Sequence, residues 1–526
     1  MYCILVFDNL NDIIYKHYNK NFYLHLKKIG LQQGLISAED YKDDDESLSA
    51  NVIMQLFSPI VTSQRVMATQ FGNSYTSIHC KDGTNLVFDE YMGFLFTLIS
   101  REKVHSMKRS LSVFISLVRH LCGPDVGVLR TDAASNDLLG DCLDNWHELR
   151  LREQSLLVEA VEQLAVNGDI TTAALNALRS ACASLKAALN YSRSHCLVFV
   201  QEKLLALYTS RESDDLIPSD LIFLNILAST HNSSAFPAES DINVDAVESS
   251  TSINNSPNQS VADTESILTS RWDILKKKHA ERVKSGDQSS GTVSMSANCC
   301  NLLSALRDVY QSICFCSCDL RQSEPTVTQI AGNVQTSLHA FSDFLTAKAF
   351  RNFTLRSRAL LSINKYLEEF PGLVHFLYID RVDHRLTAPS LDFSSEETNN
   401  LTKIKIWDMI EFSRRHLEDG HLAFMWKDTT FNYAYYLWFE DDQGSPIKPK
   451  ICPANAIKSL PIPGILGEDF YQHLVEACFP KWNPQKVHCF ELYCIHLGLA
   501  TSSCVLDQSR RIAATVWEVT GQHGNR

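Results

Sequence analysis

Cys314, Cys316 and Cys318, in the run ICFCSCD near Cys299 and Cys300, come nearest to a metal-binding pattern in this chain. Structural zinc takes thiolates roughly two to four residues apart, in pairs distant along the sequence. Here no Cys-x-x-Cys occurs and no histidine stands nearby. On a helix Cys314 and Cys318 share a face with Tyr310, as small buried apolar residues do, so no metal is expected. His17, His79, His375, His416, His421 and His496 are scattered, and none forms a His-Glu-x-x-His or comparable pair. A general base needs a reacting partner within reach, so His375, inside LVHFLYI, reads as a hydrogen-bonded sheet histidine. No G-x-x-x-x-G-K-[ST], G-x-G-x-x-G or G-x-S-x-G is present to cradle phosphate or present a nucleophile. Gly464 and Gly467 in PIPGILGED read as turn glycines before a helix that Asp469 begins. No catalytic, cofactor or metal residue is expected, and no residue is assigned to a partner surface.

The elements around these residues favour a scaffold. Leu373–Ile379, a polar turn at Asp380–His384 and Arg385–Ser390 read as two strands, the first buried on one face or both. A helical stretch Leu401–Leu417 follows, then a second strand pair, Ala423–Trp426 and Asn432–Glu440. Helices are expected at Asp469–Cys478 and Val487–Leu499. At the other end, Cys3–Phe7 and Ile13–Tyr18 form a hairpin pattern. Helical stretches are expected near Ala50–Phe57, stopped by Pro59, and near Gln64–Gln70. Strands Tyr75–His79, Leu86–Phe88 and Gly93–Ile99 and an amphipathic helix Lys103–Cys122 complete that order. Asp141–Leu207 reads as helical throughout, broken at Asn167–Gly168–Asp169, with a third helix near His195–Tyr208. Cys299–Ser317 and Ile330–Phe350 also read as helices. The fold class is α/β (α+β), with sandwich domains at both ends joined by an α-helical region. The expected domains are residues 1–130, an α-helical region 141–228, a linker 229–298 with a short basic helix, a helical segment 299–355 and a C-terminal domain 356–526.

The chain has 526 residues and a net charge of −13. An acidic chain without a basic stripe is a poor nucleic-acid binder, since phosphate contacts supply most of that affinity. The N-terminus lacks a basic n-region, and the densest apolar run, Met92–Ile99, is far too short to span a membrane. With 16 cysteines and no export signal, a reduced cytosolic setting is expected. Asp40–Glu46 (DYKDDDE) reads as a solvated acidic loop. Lys276–Lys278 with Arg271 and Arg282 form a basic helix face, either solvated or turned toward a membrane or acidic partner.

The runs EEFPGLVHFLYIDR, TAPSL, YLWFEDDQG, PGILGEDFY and VHCFEL, together with Trp407 and Arg414–Arg415, resemble the C-terminal region of the Hermansky–Pudlak syndrome type 1 protein family. The resemblance extends more weakly to the N-terminus and to LRLREQSLLVEAVEQL at Leu149–Leu164. It implies longin-like domains at both ends. It also implies an obligate cytosolic heterodimer with the Hermansky–Pudlak type 4 protein, the third biogenesis-of-lysosome-related-organelles complex. That dimer would act as a guanine-nucleotide exchange factor for Rab GTPases of the thirty-two/thirty-eight type, touching lysosome-related organelle or endosomal membranes through the Rab. A structural adaptor without exchange activity is the alternative. Vertebrate relatives carry a further longin-like domain in the middle, where this chain reads as linker and helices.

Overall fold

The computed structural model describes residues 2–36, 49–123, 125–189, 193–213, 216–235, 326, 329–350, 352, 370–391, 396–449 and 460–520. These fall into two units divided between Asp144 and Asn145. The acidic run at Asp40–Glu46, most of the 229–298 linker with its basic helix, and Cys299–Ser317 lie outside the described residues.

In the first unit β1 (Tyr2–Phe7) and β2 (Ile13–Tyr18) form the expected hairpin. Asp8 Oδ1 accepts the Leu10 and Asp12 amides at 2.8 and 2.9 Å, an Asx-type turn in which Asn11 takes a positive φ of 66°. Helices α1 (Lys20–Gln32) and α2 (Ala50–Phe71) lead to β3 (Ser77–His79), β4 (Asn85–Tyr91) and β5 (Phe94–Ser100). Helices α3 (Val104–Cys122) and α4 (Val128–Thr131) follow, then α5 (Ala133–Arg152), whose residues from Asn145 onward belong to the second unit. The sheet order is β2-β1-β5-β4-β3, antiparallel throughout. One face buries Cys3, Leu5 and Phe7 against Phe22 and Leu26 of α1 and Ile53, Phe57 and Val61 of α2. The other carries Tyr15, Val6 and Phe96, paired across the strands, with Tyr15 and Phe96 in ring contact with Phe114 of α3. Two expectations are corrected here. Pro59 does not stop a helix, because both it and Gln55, whose carbonyl the proline leaves unbonded, lie on the exposed face of α2. Helix α1 was not anticipated, and Asn19 caps it by accepting the Phe22 amide at 3.0 Å.

The second unit opens with α6 (Gln154–Val158), β6 (Val161–Glu162), α7 (Gly168–Leu189), β7 (His195–Val200), β8 (Lys203–Thr209) and α8 (Pro218–Ala235). The stretch from Asp141 to Leu207 is therefore not helical throughout. His195–Tyr208 is a hairpin, not a helix: Gln201 turns the chain at φ 52°, and Val198, Val200, Leu205 and Ala206 pack on α7 and on residues 330–349. Asn167 caps α7 by accepting the Ile170 amide at 3.1 Å. Residues 329–338 are helical and continue into α9 (Ser342–Phe350).

Then come β9 (Leu373–Asp380), β10 (Arg385–Thr387), α10 (Glu396–Glu418), β11 (Ala423–Lys427), β12 (Phe431–Asp441), β13 (Pro446–Ile447), α11 (Phe470–Cys478), β14 (Val487–Leu497) and α12 (Ser502–Thr520). Val487–Leu499, expected as a helix, is instead the sheet's central strand. It is buried along nearly its whole length, so the alternation that would have marked it is absent. The order is β11-β12-β14-β9-β10-β6, with β6 parallel to β10 and β13 beside β12. Val505 and Ile512 of α12 cover one face, over Phe376, Tyr378, Ala434 and Leu492. Helices α10 and α11 contact β14, and Leu377, Ile379, Tyr435 and Tyr493 on the opposite face are also buried. Both faces of β9 thus find helix layers within this unit. The strands β10-β9-β14-β12-β11 repeat the connectivity of β2-β1-β5-β4-β3, with α11 inserted where Met92–Gly93 make a two-residue turn in the first unit.

Candidate functional site

Of the six histidines named above, His17, His79, His375, His416 and His496 each have a side-chain hydrogen bond. His17 Nε2 lies 2.9 Å from Asp144 Oδ1, and His79 Nδ1 lies 2.8 Å from Asn85 Oδ1. His375 Nε2 meets Gln154 Oε1 at 3.1 Å, and burial pushes its pKa down to about 3. His496 Nε2 meets Gln508 Oε1 at 3.1 Å. Burial outweighs that bond and pushes its pKa down to about 4. His416 and His421 lie with ring centroids 5.9 Å apart, beside Phe412 and Phe424. The carbonyl of Gly464 accepts the Phe470 amide at 3.1 Å, and Asp469 caps α11 as expected. Among the described residues no three His, Cys, Asp or Glu side chains are placed to hold a metal ion.

What the second unit does bring together is the set of runs singled out above. Trp407 Nε1 donates to the Arg150 carbonyl at 2.9 Å, and the Arg414 guanidinium donates to the Leu157 carbonyl. Arg381 reaches the carbonyls of Glu159 and Val158 at 3.1 and 3.0 Å while its Nε pairs with Glu491 Oε2 at 2.6 Å. Tyr435 and Tyr493 hydroxyls donate to the other oxygen of Glu491 at 2.6 and 3.2 Å. Glu159, itself at φ 51°, accepts the Ile465 and Leu466 amides at 2.5 and 2.9 Å. Gln154 Nε2 donates to the Pro389 carbonyl at 3.0 Å. Arg381 and Glu491 are essentially without solvent exposure. Burial alone would lower the Arg381 pKa, but Glu491 and the neighbouring tyrosines hold it above the ordinary range. The segment Arg150–Glu159 is therefore clamped onto the C-terminal sheet by buried, partnered charges. Sequence reasoning missed this clamp, although Glu491 inside VHCFELYCIHL, a lone charge in an apolar run, was the signal for it.

The first unit holds an open cleft of about 510 Å³. Five consecutive residues of β2, Ile13 to His17, line it, with Ala50 at the start of α2 and Asn136, Asp137, Gly140 and Asp141 of α5. Because side chains alternate across a strand, consecutive residues share one cleft only where the strand edge is its floor. Among the described residues β2 ends the sheet, with no strand beside its outer edge.

Two compact α/β sandwiches with the same strand connectivity, each closed by helices on both faces, are longin-type domains. The family description "First Longin domain of FUZ, MON1 and HPS1" matches residues 2–149, and "Third Longin domain of FUZ, MON1 and HPS1" matches residues 372–520. Together the two matches span more than half of the chain, which belongs to this family of longin-domain proteins.

Proposed function

We propose that this chain is the type 1 subunit of a Hermansky–Pudlak-type exchange complex. It would act with a type 4 partner on Rab GTPases of the thirty-two/thirty-eight type, in the cytoplasm and on membranes of lysosome-related organelles. The observation that carries this reading is the clamp. The runs that resemble the type 1 family, Trp407 and Arg414, LVHFLYIDR and PGILGED, converge on Arg150–Glu159 within a chain bearing first and third longin domains. The chain supplies no bond-making chemistry in this reading. Nucleotide release requires only a surface that holds the GTPase switches away from magnesium and phosphate, because those contacts order the switches. The test is release of fluorescent GDP from the Rab by the chain with its partner and by the chain alone. Accelerated release by the pair supports exchange. An intact pair that leaves release at its intrinsic rate would make the protein an adaptor.

A further inference from the structure

Cys182 of α7 and Cys196 of β7 bring their sulfurs to 3.3 Å, and the Ser194 hydroxyl donates to Cys182 Sγ at 3.5 Å. Both are free thiols, Cys182 buried and Cys196 partly exposed. A disulfide is about 2.05 Å long, so the sulfurs need to close by only about 1.2 Å. The contact is held from both sides, by residues that share a face of α7 with Cys182. One turn before it, the Arg179 guanidinium lies 5.7 Å from the centre of the Tyr208 ring, and Tyr208 stands opposite Cys196 in the hairpin. One turn after it, Lys186 Nζ meets Glu212 Oε1 at 2.8 Å, just beyond the end of β8. Helix and hairpin are thereby fixed against each other at the level of the two thiols.

A thiol that only fills a core behaves differently. At Cys3 burial pushes the pKa up and keeps the sulfur protonated and inert. Between Cys182 and Cys196 the shared hydrogen bond acts first: it brings Cys182 down to about 7 against the effect of burial, and holds Cys196 up. A thiolate in contact with a second thiol is the arrangement that disulfide exchange uses.

We propose that Cys182 and Cys196 form a redox-modification site, a dithiol that a small disulfide such as glutathione disulfide converts reversibly into a bond between α7 and β7. One protein thiolate attacks a glutathione sulfur and expels a glutathione thiolate. The second protein thiolate then attacks the protein sulfur of the mixed disulfide and expels the other. The pair gives up two protons and two electrons, and two molecules of reduced glutathione carry them away. The bond ties α7 to the hairpin that supports β6: the Leu204 carbonyl accepts the Leu164 amide at 2.8 Å, and the Leu205 carbonyl accepts Gln163 Nε2 at 3.0 Å. Oxidation thus stiffens the backing of the strand that pairs with β10.

The test equilibrates the full chain with glutathione disulfide at neutral pH, blocks the remaining thiols by alkylation and maps tryptic peptides by mass. Ser180–Lys186 should appear joined to Ser194–Lys203, two hydrogens lighter than their sum, and excess reduced glutathione should part them. Exposed Cys80 should stop at a glutathione adduct. The oxidised chain should melt several degrees above the reduced one, because the bond closes a loop in the unfolded chain. Cys182→Ser and Cys196→Ser should each abolish both the joined peptide and the rise in melting temperature. The native chain should form the bond about tenfold or more faster than the same chain in urea, since the fold holds the sulfurs together. Equal rates in the two would reduce the pairing to nearness in sequence and overturn the site. A native chain that keeps both thiols, ends as a glutathione adduct at either, or joins either to a different cysteine would also overturn it.

Discussion

Glu491→Gln isolates the electrostatic part of the clamp, because the amide keeps the shape of the carboxylate and removes its charge. In the native chain that carboxylate receives Arg381 at 2.6 Å and the hydroxyls of Tyr435 and Tyr493 at 2.6 and 3.2 Å, all in a site without solvent. Without it the guanidinium stays buried beside the Tyr471 ring, 4.0 Å from its centroid, with two backbone carbonyls and a neutral amide oxygen, but no countercharge, to accept from it. Breaking one side of a buried ion pair costs about 3–5 kcal/mol. For a unit of this size that corresponds to a loss of roughly 10 °C in melting temperature. Arg381→Met combined with Glu491→Leu removes both charges. It should cost at least about 2 kcal/mol less than the sum of the two single changes, with the freed carbonyls of Val158 and Glu159 as its residual penalty. Urea unfolding followed by near-ultraviolet circular dichroism reads the tyrosines at the site directly. A Glu491→Gln protein within about 1 kcal/mol of the native one, or single changes that add without coupling, would refute the clamp as the joint of this unit.

Acid should destabilise the second unit through His375 and His496. Both are held neutral by burial, with folded pKa values of about 3 and about 4 against the ordinary 6.5, so the unfolded chain takes up the protons first. Stability is therefore full above 6.5 and falls as the pH drops from 6.5 toward 4, by about 2 kcal/mol per histidine at pH 5. Replacing both by Gln should flatten a plot of unfolding free energy against pH in that window. Cys182 and Cys196 lie 3.3 Å apart, and the Cys196 thiol's hydrogen bond, opposed by burial and aided by Ser194, brings Cys182 down to about 7. Glutathione disulfide should join the pair, releasing two reduced glutathiones, at a rate that climbs through pH 7. A rate that tracks the ordinary thiol range near 9 would contradict the contact. Leu377→Asp places a carboxylate at a fully buried position of β9 and should cost several kcal/mol, unfolding the C-terminal domain. Retained near-ultraviolet signal in that variant would show the face to be open to solvent.

The sequence made one kind of information available and withheld another. The β1–β2 hairpin and the α3 stripe were legible because Asp8, Asn11 and the spacing of Met107, Leu111, Phe114 and Val118 act locally. β14 was not: with both faces covered, VHCFELYCIHL shows neither helical spacing nor alternation, and only its partners β12 and β9 decide the matter. Asn352 is a sharper case. In sequence it sits in an Asn-Phe-Thr triplet of no evident meaning. In the fold it is buried, donates to Glu162 Oε1 at 2.8 Å and to the Gln163 carbonyl at 2.9 Å, and accepts the Ala165 amide at 2.9 Å. A contact spanning 190 residues leaves no local mark. The same reasoning separates the two longin edges. Asn352 and the clamp hold the backbone on either side of β6, and so fix a strand against β10 that sequence periodicity could not predict. No such device is built around β2 among the described residues. Among the described residues, a fold repeated in one chain therefore becomes asymmetric through the few buried polar side chains that hold β6 on β10.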